Sequence, residues 1–215
     1  MERNAEKTAL IIGSSPVGDW GFLDHYLSPN TAVLCADGGR KLAEAAGLHP
    51  DWYVGDGDSG GWAEGLPAAI LPEEKDVTDL EAAVHYALAQ GYGTLYLTGC
   101  TGGRGDHHLA NCLLLEQIAE AGAKGYLLDD VNEITYLAPG VHWVENQPPC
   151  QYLGLIPLDR VVTGVTLRGV KYPLTDASLQ RCTALTVSNE ILPGQRAEIT
   201  IGSGAVLLVR SQRQG

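Results

Sequence analysis

The chain has 215 residues, enough for one large or two modest domains with a buried core. Hydrophobic residues make up 45% and charged residues 19%, a balance that excludes a disordered or fibrous chain. Fourteen basic residues against 26 acidic ones leave a formal charge of -12, which excludes a nucleic-acid surface and means that a polyanionic substrate needs cations as intermediaries.

The opening MERNAEKTALIIG is polar at first and too short in its apolar part for a secretory leader. No window approaches the roughly 18 apolar residues of a membrane span. A cytoplasmic protein without a membrane partner is expected. Cys35, Cys100, Cys112, Cys150 and Cys182 are odd in number and lack a C-x-x-C pair, so buried free thiols are expected rather than disulfides or zinc.

TALII (8–12) predicts a first strand, ending at Gly13. TAVLCA (31–36) predicts a second, followed at once by Asp37-Gly38-Gly39 and a helix, RKLAEAA, closed by Gly47. WYV (52–54) predicts a short third strand that runs into GDGDS, where Asp56 and Asp58 stand among glycines. In LPEEKDVTDLEAAVHYALAQG, Thr78 and Glu81 have capping-box spacing, Leu80, Val84 and Leu88 share a helical face, and Gly91 marks the stop. TLYLT (94–98) predicts the next strand, Asp106 to Ala121 the next helix, and KGYLL (124–128) a further strand.

Strands alternating with helices imply βαβ units and a parallel sheet covered on both faces. From Asn132 onward helical periodicity vanishes. EITYLAPG, HWVEN, QYLGLIPL, VVTGVTLRGVKYPL, ALTVSNEI, RAEITIG and AVLLVRS are short, β-branched and punctuated by Pro, Gly and Asn. The expected fold is therefore an α/β protein, with a parallel-sheet domain over 1–130 and a C-terminal antiparallel β-sandwich over 131–215. In open parallel sheets ligands bind beyond the carboxyl ends of the strands. Asp37, the pair Asp56 and Asp58, and the segment Gly99 to Asp106 each follow a predicted strand, so separate loops are expected to converge on one rim.

Three kinds of site carry paired carboxylates among glycines. A calcium loop starting at Asp56 fails, because Gly60 and Pro67 occupy its fifth and twelfth positions. A phosphatase of the haloacid-dehalogenase type needs a nucleophilic Asp-x-Asp after the first strand, and IIGSSP offers no carboxylate before Asp19. A magnesium-nucleotide site needs carboxylates for the metal, backbone for phosphates and a cation for developing charge. Asp37, Asp56 and Asp58 supply the first. Asp76 and Asp79 flank Thr78 where a helix begins. TGCTGGRGDHHLAN (98–111) sets Gly102, Gly103 and Arg104 between a strand and a helix. Neither a Walker A motif nor a dinucleotide fingerprint is present.

The ordered series CADGG, GDGDS, KDVTDLEAAV, TGGRGDHHLANCLLL, GVKYPL and TVSNE resembles the thiamine pyrophosphokinases, collinearly over nearly the whole chain. The resemblance implies an α/β catalytic domain and a thiamine-binding sandwich. It also implies a homodimer with its active site at the subunit interface, and transfer of pyrophosphate from magnesium-ATP to thiamine. It assigns Asp56, Asp58 and Asp79 to magnesium, and Asp37, Lys75, Thr78, Gly102, Gly103 and Arg104 to the nucleotide. Asp76, Asp79, Arg104 and Asp106 become the catalytic set, with Asp76 or Asp106 accepting the hydroxyl proton. Ser188 and Asn189 contact thiamine. Gly57 stands where the family more often has phenylalanine, and the tail VRSQRQG lacks an aromatic residue, leaving Trp143 and Tyr172 as substitutes for stacking on thiamine.

Plainer readings stand beside these. Asp37-Gly38-Gly39 alone is a turn and cap, Thr78 alone caps its helix, and Arg104 with Asp106 alone is a local ion pair. His107 and His108 point to different helix faces, as surface or supporting groups rather than metal ligands. Leu113-Leu114-Leu115 and Cys112 are expected in the core. Ser188-Asn189 alone is an ordinary turn. The rival activities are a pyrophosphokinase for another hydroxymethyl compound, such as a dihydropterin, and a non-catalytic nucleotide-binding protein.

Overall fold

The structure, a computed structural model, describes residues 7–56, 65–70, 72, 76–147 and 149–213. The chain divides into two compact units, Met1–Asp130 and Val131–Gly215.

The first unit holds β1 (Thr8–Ile12), β2 (Ala32–Ala36), α1 (Gly39–Ala45), β3 (Trp52–Gly55), β4 (Ala68–Ile70), α2 (Asp79–Ala89), β5 (Thr94–Thr98), α3 (Gly105–Glu120) and β6 (Lys124–Leu128), with a 3-10 turn at Gly21–His25. Every pairing is parallel. β1 lies between β2 and β5, β3 and then β4 continue beyond β2, and β6 lies beyond β5. Leu10, Ile11 and Ile12 in β1 and Leu95 and Leu97 in β5 are wholly buried. An unbroken apolar run is the mark of a strand covered on both faces. The chain works outward from β1 through β2, β3 and β4, then returns to β1's other side with β5. The strand order therefore reverses between β1 and β5, which is where doubly wound sheets open a ligand crevice.

The two strands leave the sheet in unusual proximity there. Gly13 N donates to Thr98 O at 2.8 Å, and Ser15 N to Gly99 O at 2.8 Å. A Cβ on Gly99 would stand 2.7 Å from the Gly13 carbonyl oxygen, and Gly99 has φ +63. Both the close approach and the left-handed backbone require glycine.

Local signals explain the helices. Thr78 Oγ1 accepts from Glu81 N at 3.1 Å and caps α2. In α3 the buried residues Asn111, Cys112, Leu114, Leu115 and Ile118 form one stripe. Leu113 falls outside that stripe and is 52% exposed, which corrects its expected place in the core.

The second unit contains β7 (Asn132–Leu137), β8 (Gly140–Glu145), β9 (Tyr152–Pro157), β10 (Val161–Arg168), β11 (Leu174–Gln180), β12 (Asn189–Glu190), β13 (Arg196–Ile201) and β14 (Val206–Ser211). They pair antiparallel as β12-β9-β14-β7 and β11-β10-β13-β8. Leu153, Leu155, Val206 and Leu208 of one sheet form a common core with Val162, Val165, Leu167 and Ile199 of the other, the expected sandwich. In β10 the inward positions jump from Val162 to Val165, because the strand bulges at Gly164, whose φ is +67. Arg210 and Glu133 sit opposite one another across β14 and β7 and form a buried ion pair at 3.1 Å. Arg210 also donates to the carbonyls of Glu145 and Gln147 through Nη2, so three of its N–H donors are engaged.

Two expectations in this unit are corrected. ALTVSNEI is a turn through Ser188, with strand at Asn189–Glu190 alone. Thr186 explains this: its hydroxyl donates to Leu155 O at 2.7 Å and accepts from Leu155 N at 3.1 Å, occupying β9 groups that a strand would have paired. All five cysteines are free, and Cys35, Cys100 and Cys112 are buried. Cys182, expected inside, is exposed.

Two substitutions check this account by chemical denaturation. Gly99→Ala is expected to cost about 2 kcal/mol or more, because a left-handed alanine and a backbone clash add. Thr78→Ala is expected to cost about 1 kcal/mol and Thr78→Ser little. A Gly99→Ala protein as stable as the parent would show that the seam between β1 and β5 tolerates a side chain.

Candidate active site

A cavity of about 600 Å³ opens at the carboxyl ends of β1, β2, β3 and β5. Gly13 to Pro16 after β1, Asp37 after β2, Asp56 after β3, Val77 to Leu80 at the start of α2, and Gly103 and Arg104 before α3 all line it. Of the rim expected from the sequence, Asp37, Asp56 and, from the segment Gly99 to Asp106, Gly99, Cys100, Gly103 and Arg104 come together here.

Each acid arrives by a different route. Asp37 adopts a left-handed conformation, φ +48, and its backbone N–H donates to Val54 O at 2.9 Å, anchoring the turn to β3. Such backbone is costly for a residue with a Cβ and is kept where surroundings fix it. Asp37 Oδ1 is buried and accepts no hydrogen bond among the described residues. Asp56 directly follows β3, and Asp79 opens α2 beside the cap Thr78. Asp58 and Lys75 lie outside the described residues.

Arg104 lines the cavity, whereas Asp76, Gly102 and Asp106 are not among its lining residues. Arg104 holds Asp106 side-on, with Nη2 at 2.6 Å from Oδ2 and Nε at 3.2 Å from Oδ1. The pair is exposed, 74% for Arg104 and 64% for Asp106. The hydrogen bond from Arg104, aided by the His107 backbone N–H, holds the Asp106 carboxyl down at about 2. A carboxylate so acidic is a poor proton acceptor near neutral pH. Its geometry suits orienting the guanidinium, whose Nη1 is not engaged by Asp106.

Several lining groups carried no clear sequence signal. His107, read as a supporting group, reaches the cavity wall. Asn111 is buried, and its Nδ2 donates to Cys100 O at 2.9 Å, tying the loop after β5 to α3. Cys100 also faces the cavity, but burial pushes its thiol up to about 12, so it is no nucleophile. Ser14 and Ser15 follow β1 in a stretch whose only signal is its place at the reversal of strand order.

In the second unit, Asn189 is 2% exposed. Its Oδ1 accepts from Tyr172 N at 3.0 Å and Glu190 N at 2.9 Å, while Nδ2 donates to Tyr172 O at 2.9 Å. Ser188 beside it is exposed and left-handed, φ +61. Tyr172 is exposed, and exposed Trp143 carries the Arg196 guanidinium 3.9 Å above its ring.

The donor set tests whether magnesium fits. Among the described residues no three His, Cys, Asp or Glu side chains form a metal-binding cluster. Magnesium does not require one, since it is commonly held by one or two carboxylates together with water and substrate phosphates. Asp37, Asp56 and Asp79, which all line the cavity, are oxygen donors of the type a hard cation takes.

The pair's chemistry can be checked by carbon-detected NMR titration. The Asp106 carboxyl is expected to titrate near 2, against an ordinary value of 3.8. A carboxyl with a lowered folded value contributes fully above its unfolded value. The Arg104–Asp106 contact should therefore persist at all pH above about 4 and be lost as pH falls toward 2. Arg104→Ala should return the midpoint toward 3.8, and an unchanged midpoint would remove Arg104 as the cause.

Comparisons with known proteins converge on one family. Residues 23–127 match the thiamin pyrophosphokinase catalytic domain, and residues 141–206 the vitamin B1 binding domain of thiamin pyrophosphokinase. The thiamine pyrophosphokinase of Bacillus subtilis (strain 168) is 31% identical over 212 residues, covering 95% of this chain and 99% of that protein. The crystal structure of the Bacillus subtilis thiamine pyrophosphokinase superposes with a TM-score of 0.87 at 29% identity, covering 97% of this chain and 100% of the other. That of the Geobacillus thermodenitrificans thiamin pyrophosphokinase gives 0.85, also at 29% identity, covering 97% and 99%.

Proposed function

Because the chain belongs to the thiamine pyrophosphokinase family, we propose that it transfers the pyrophosphoryl group of ATP to the hydroxyl of thiamine. The hydroxyl oxygen forms a bond to the β-phosphorus. The bond from that phosphorus to the oxygen bridging toward the α-phosphorus breaks, AMP leaves with that oxygen, and the hydroxyl proton is released. The observation that carries this reading is the convergence of Asp37, Asp56, Asp79 and Arg104 from four strand and helix ends on one cavity.

Asp56 and Asp79, with Asp58, would hold magnesium, which neutralises triphosphate charge against a chain whose formal charge is -12. The start of α2 presents backbone N–H groups where it lines the cavity. Thr78 Oγ1 already accepts from Glu81 N, leaving its O–H to donate outward. Arg104, oriented by Asp106, places its remaining N–H donors for charge that builds on the transferred group. Gly103 allows close approach of phosphate oxygens to backbone. Ser188 and Asn189 in the second unit would contact thiamine; three of Asn189's bonds already fix Tyr172 and Glu190, so its orientation is preset. The same reading includes a homodimer and a cytoplasmic location; no described helix is long and apolar enough to cross a membrane.

Incubation with magnesium-ATP and thiamine should yield AMP and thiamine diphosphate in equal amounts. ADP as the nucleotide product, or AMP formed only with a hydroxymethyl pterin, would overturn the assignment. Arg104→Lys, which keeps the charge but loses the planar fork, should lower kcat by about 10²- to 10³-fold with a much smaller change in KM for thiamine. A KM effect alone would move Arg104 from charge stabilisation to plain binding.

A further inference from the structure

The described cavity wall is short of positive charge: Asp37, Asp56 and Asp79 face a single arginine, and Arg104 is already paired with Asp106. A triphosphate received here still needs hydrogen-bond donors for oxygens that neither a metal nor Arg104 covers. Uncharged donors close to the reversal of strand order would supply them.

The turn after β1 meets both conditions. Ser14 and Ser15 line the cavity directly after Gly13. A Cβ placed on Gly38 would lie 3.3 Å from Ser14 Cβ, so Ser14 abuts the Asp37 turn. A Cβ placed on Gly103 would lie 3.0 Å from Ser15 Oγ, so that hydroxyl abuts the glycine loop just before Arg104. The two serines thus span the mouth between β2 and β5. Ser15 N is bonded to Gly99 O at 2.8 Å, which fixes the turn's backbone, and Pro16 follows with its φ locked. Neither serine hydroxyl makes a side-chain hydrogen bond among the described residues. Two serines with uncommitted hydroxyls thus line the cavity together with its acids and its arginine.

We infer that Ser14 and Ser15 form the neutral wall of the triphosphate site, their hydroxyls donating to phosphate oxygens of the nucleoside triphosphate. Neither the family match nor the paired carboxylates assigns them this role. The inference deepens the reading of the chain as an ATP-using pyrophosphokinase and rests on it.

Calorimetric titration of magnesium-ATP, without thiamine, into the parent, Ser14→Ala/Ser15→Ala and Ser15→Thr proteins tests it. The double alanine variant should lose about ten-fold or more in ATP affinity, as expected when hydrogen bonds to a charged group are removed. Its melting temperature and its KM for thiamine should stay near the parent's. Ser15→Thr, which keeps the hydroxyl, should bind ATP close to the parent level. Unchanged ATP affinity in the double variant overturns the inference and leaves the pyrophosphokinase reading standing. So does a loss that Ser15→Thr shares in full or that follows a fall in melting temperature, since the effect is then one of packing. A parent protein that does not bind magnesium-ATP overturns both.

Discussion

The site depends on a backbone contact more than on any charge. β1 and β5 run side by side, and their exits must diverge so that one turns toward β2 and the other toward α3. Gly13 and Gly99 let the two exits remain hydrogen-bonded one residue beyond the sheet, at a separation no Cβ would permit. The loops then part above this seam and leave a floor of glycine backbone. Asn111 holds the far lip by donating to Cys100 O. With the seam closed and the lip held, the acids at the ends of β2 and β3 have one place to face.

The electrostatics follow from that placement. Asp37, Asp56 and Asp79 share one cavity lining, and the fold holds Asp37 there in a left-handed conformation with its buried Oδ1 accepting no hydrogen bond among the described residues. Local stability alone does not explain that backbone or that buried oxygen, since both cost free energy. On the proposed reading, a cation would offset the charge of these carboxylates, and an anionic substrate would complete the neutralisation. The order of charges would then read outward from acids to cation to phosphate. Uncharged hydroxyls fit this scheme better than added lysines, which would compete with the cation for the same carboxylates.

Much of this was legible in the sequence, and the failures have physical causes. The parallel unit was readable because buried strands give continuous apolar runs and helices have punctuated ends, as with Thr78 and Glu81. Acidic loops after strands were readable because carboxylates among glycines are rare without a purpose. β11 was obscured because most of LTDASLQ is exposed, so it shows no apolar alternation. The turn before Ser188 looked like a strand because its β-branched residues suit one, yet Thr186 satisfies β9 by its side chain instead. Leu113 looked like core because three leucines in a row hide which one a helix turns outward. Ser14 and Ser15 carried no signal, since serines after a strand are ordinary turn residues until the topology places them at the reversal.

The Arg104–Asp106 pair shows why residue type alone leaves a role undecided. From the sequence, Asp106 was as good a proton acceptor as Asp76, since both are carboxylates near a helix start. The geometry separates two properties that the sequence joins: Asp106 is near the site, but its acidity is spent on the guanidinium. Because the pair is exposed, solvent and salt screen it, and the arginine is held in direction without being held tightly. A buried partner would fix Arg104 more firmly, but at a desolvation cost that a phosphate would have to overcome to draw the guanidinium away. An exposed carboxylate avoids that cost. It keeps the planar fork turned to the cavity rim, and it would yield to a more highly charged oxygen cluster. Orientation without tight binding is what a residue needs if its main contact is to strengthen only as charge develops on the transferred group.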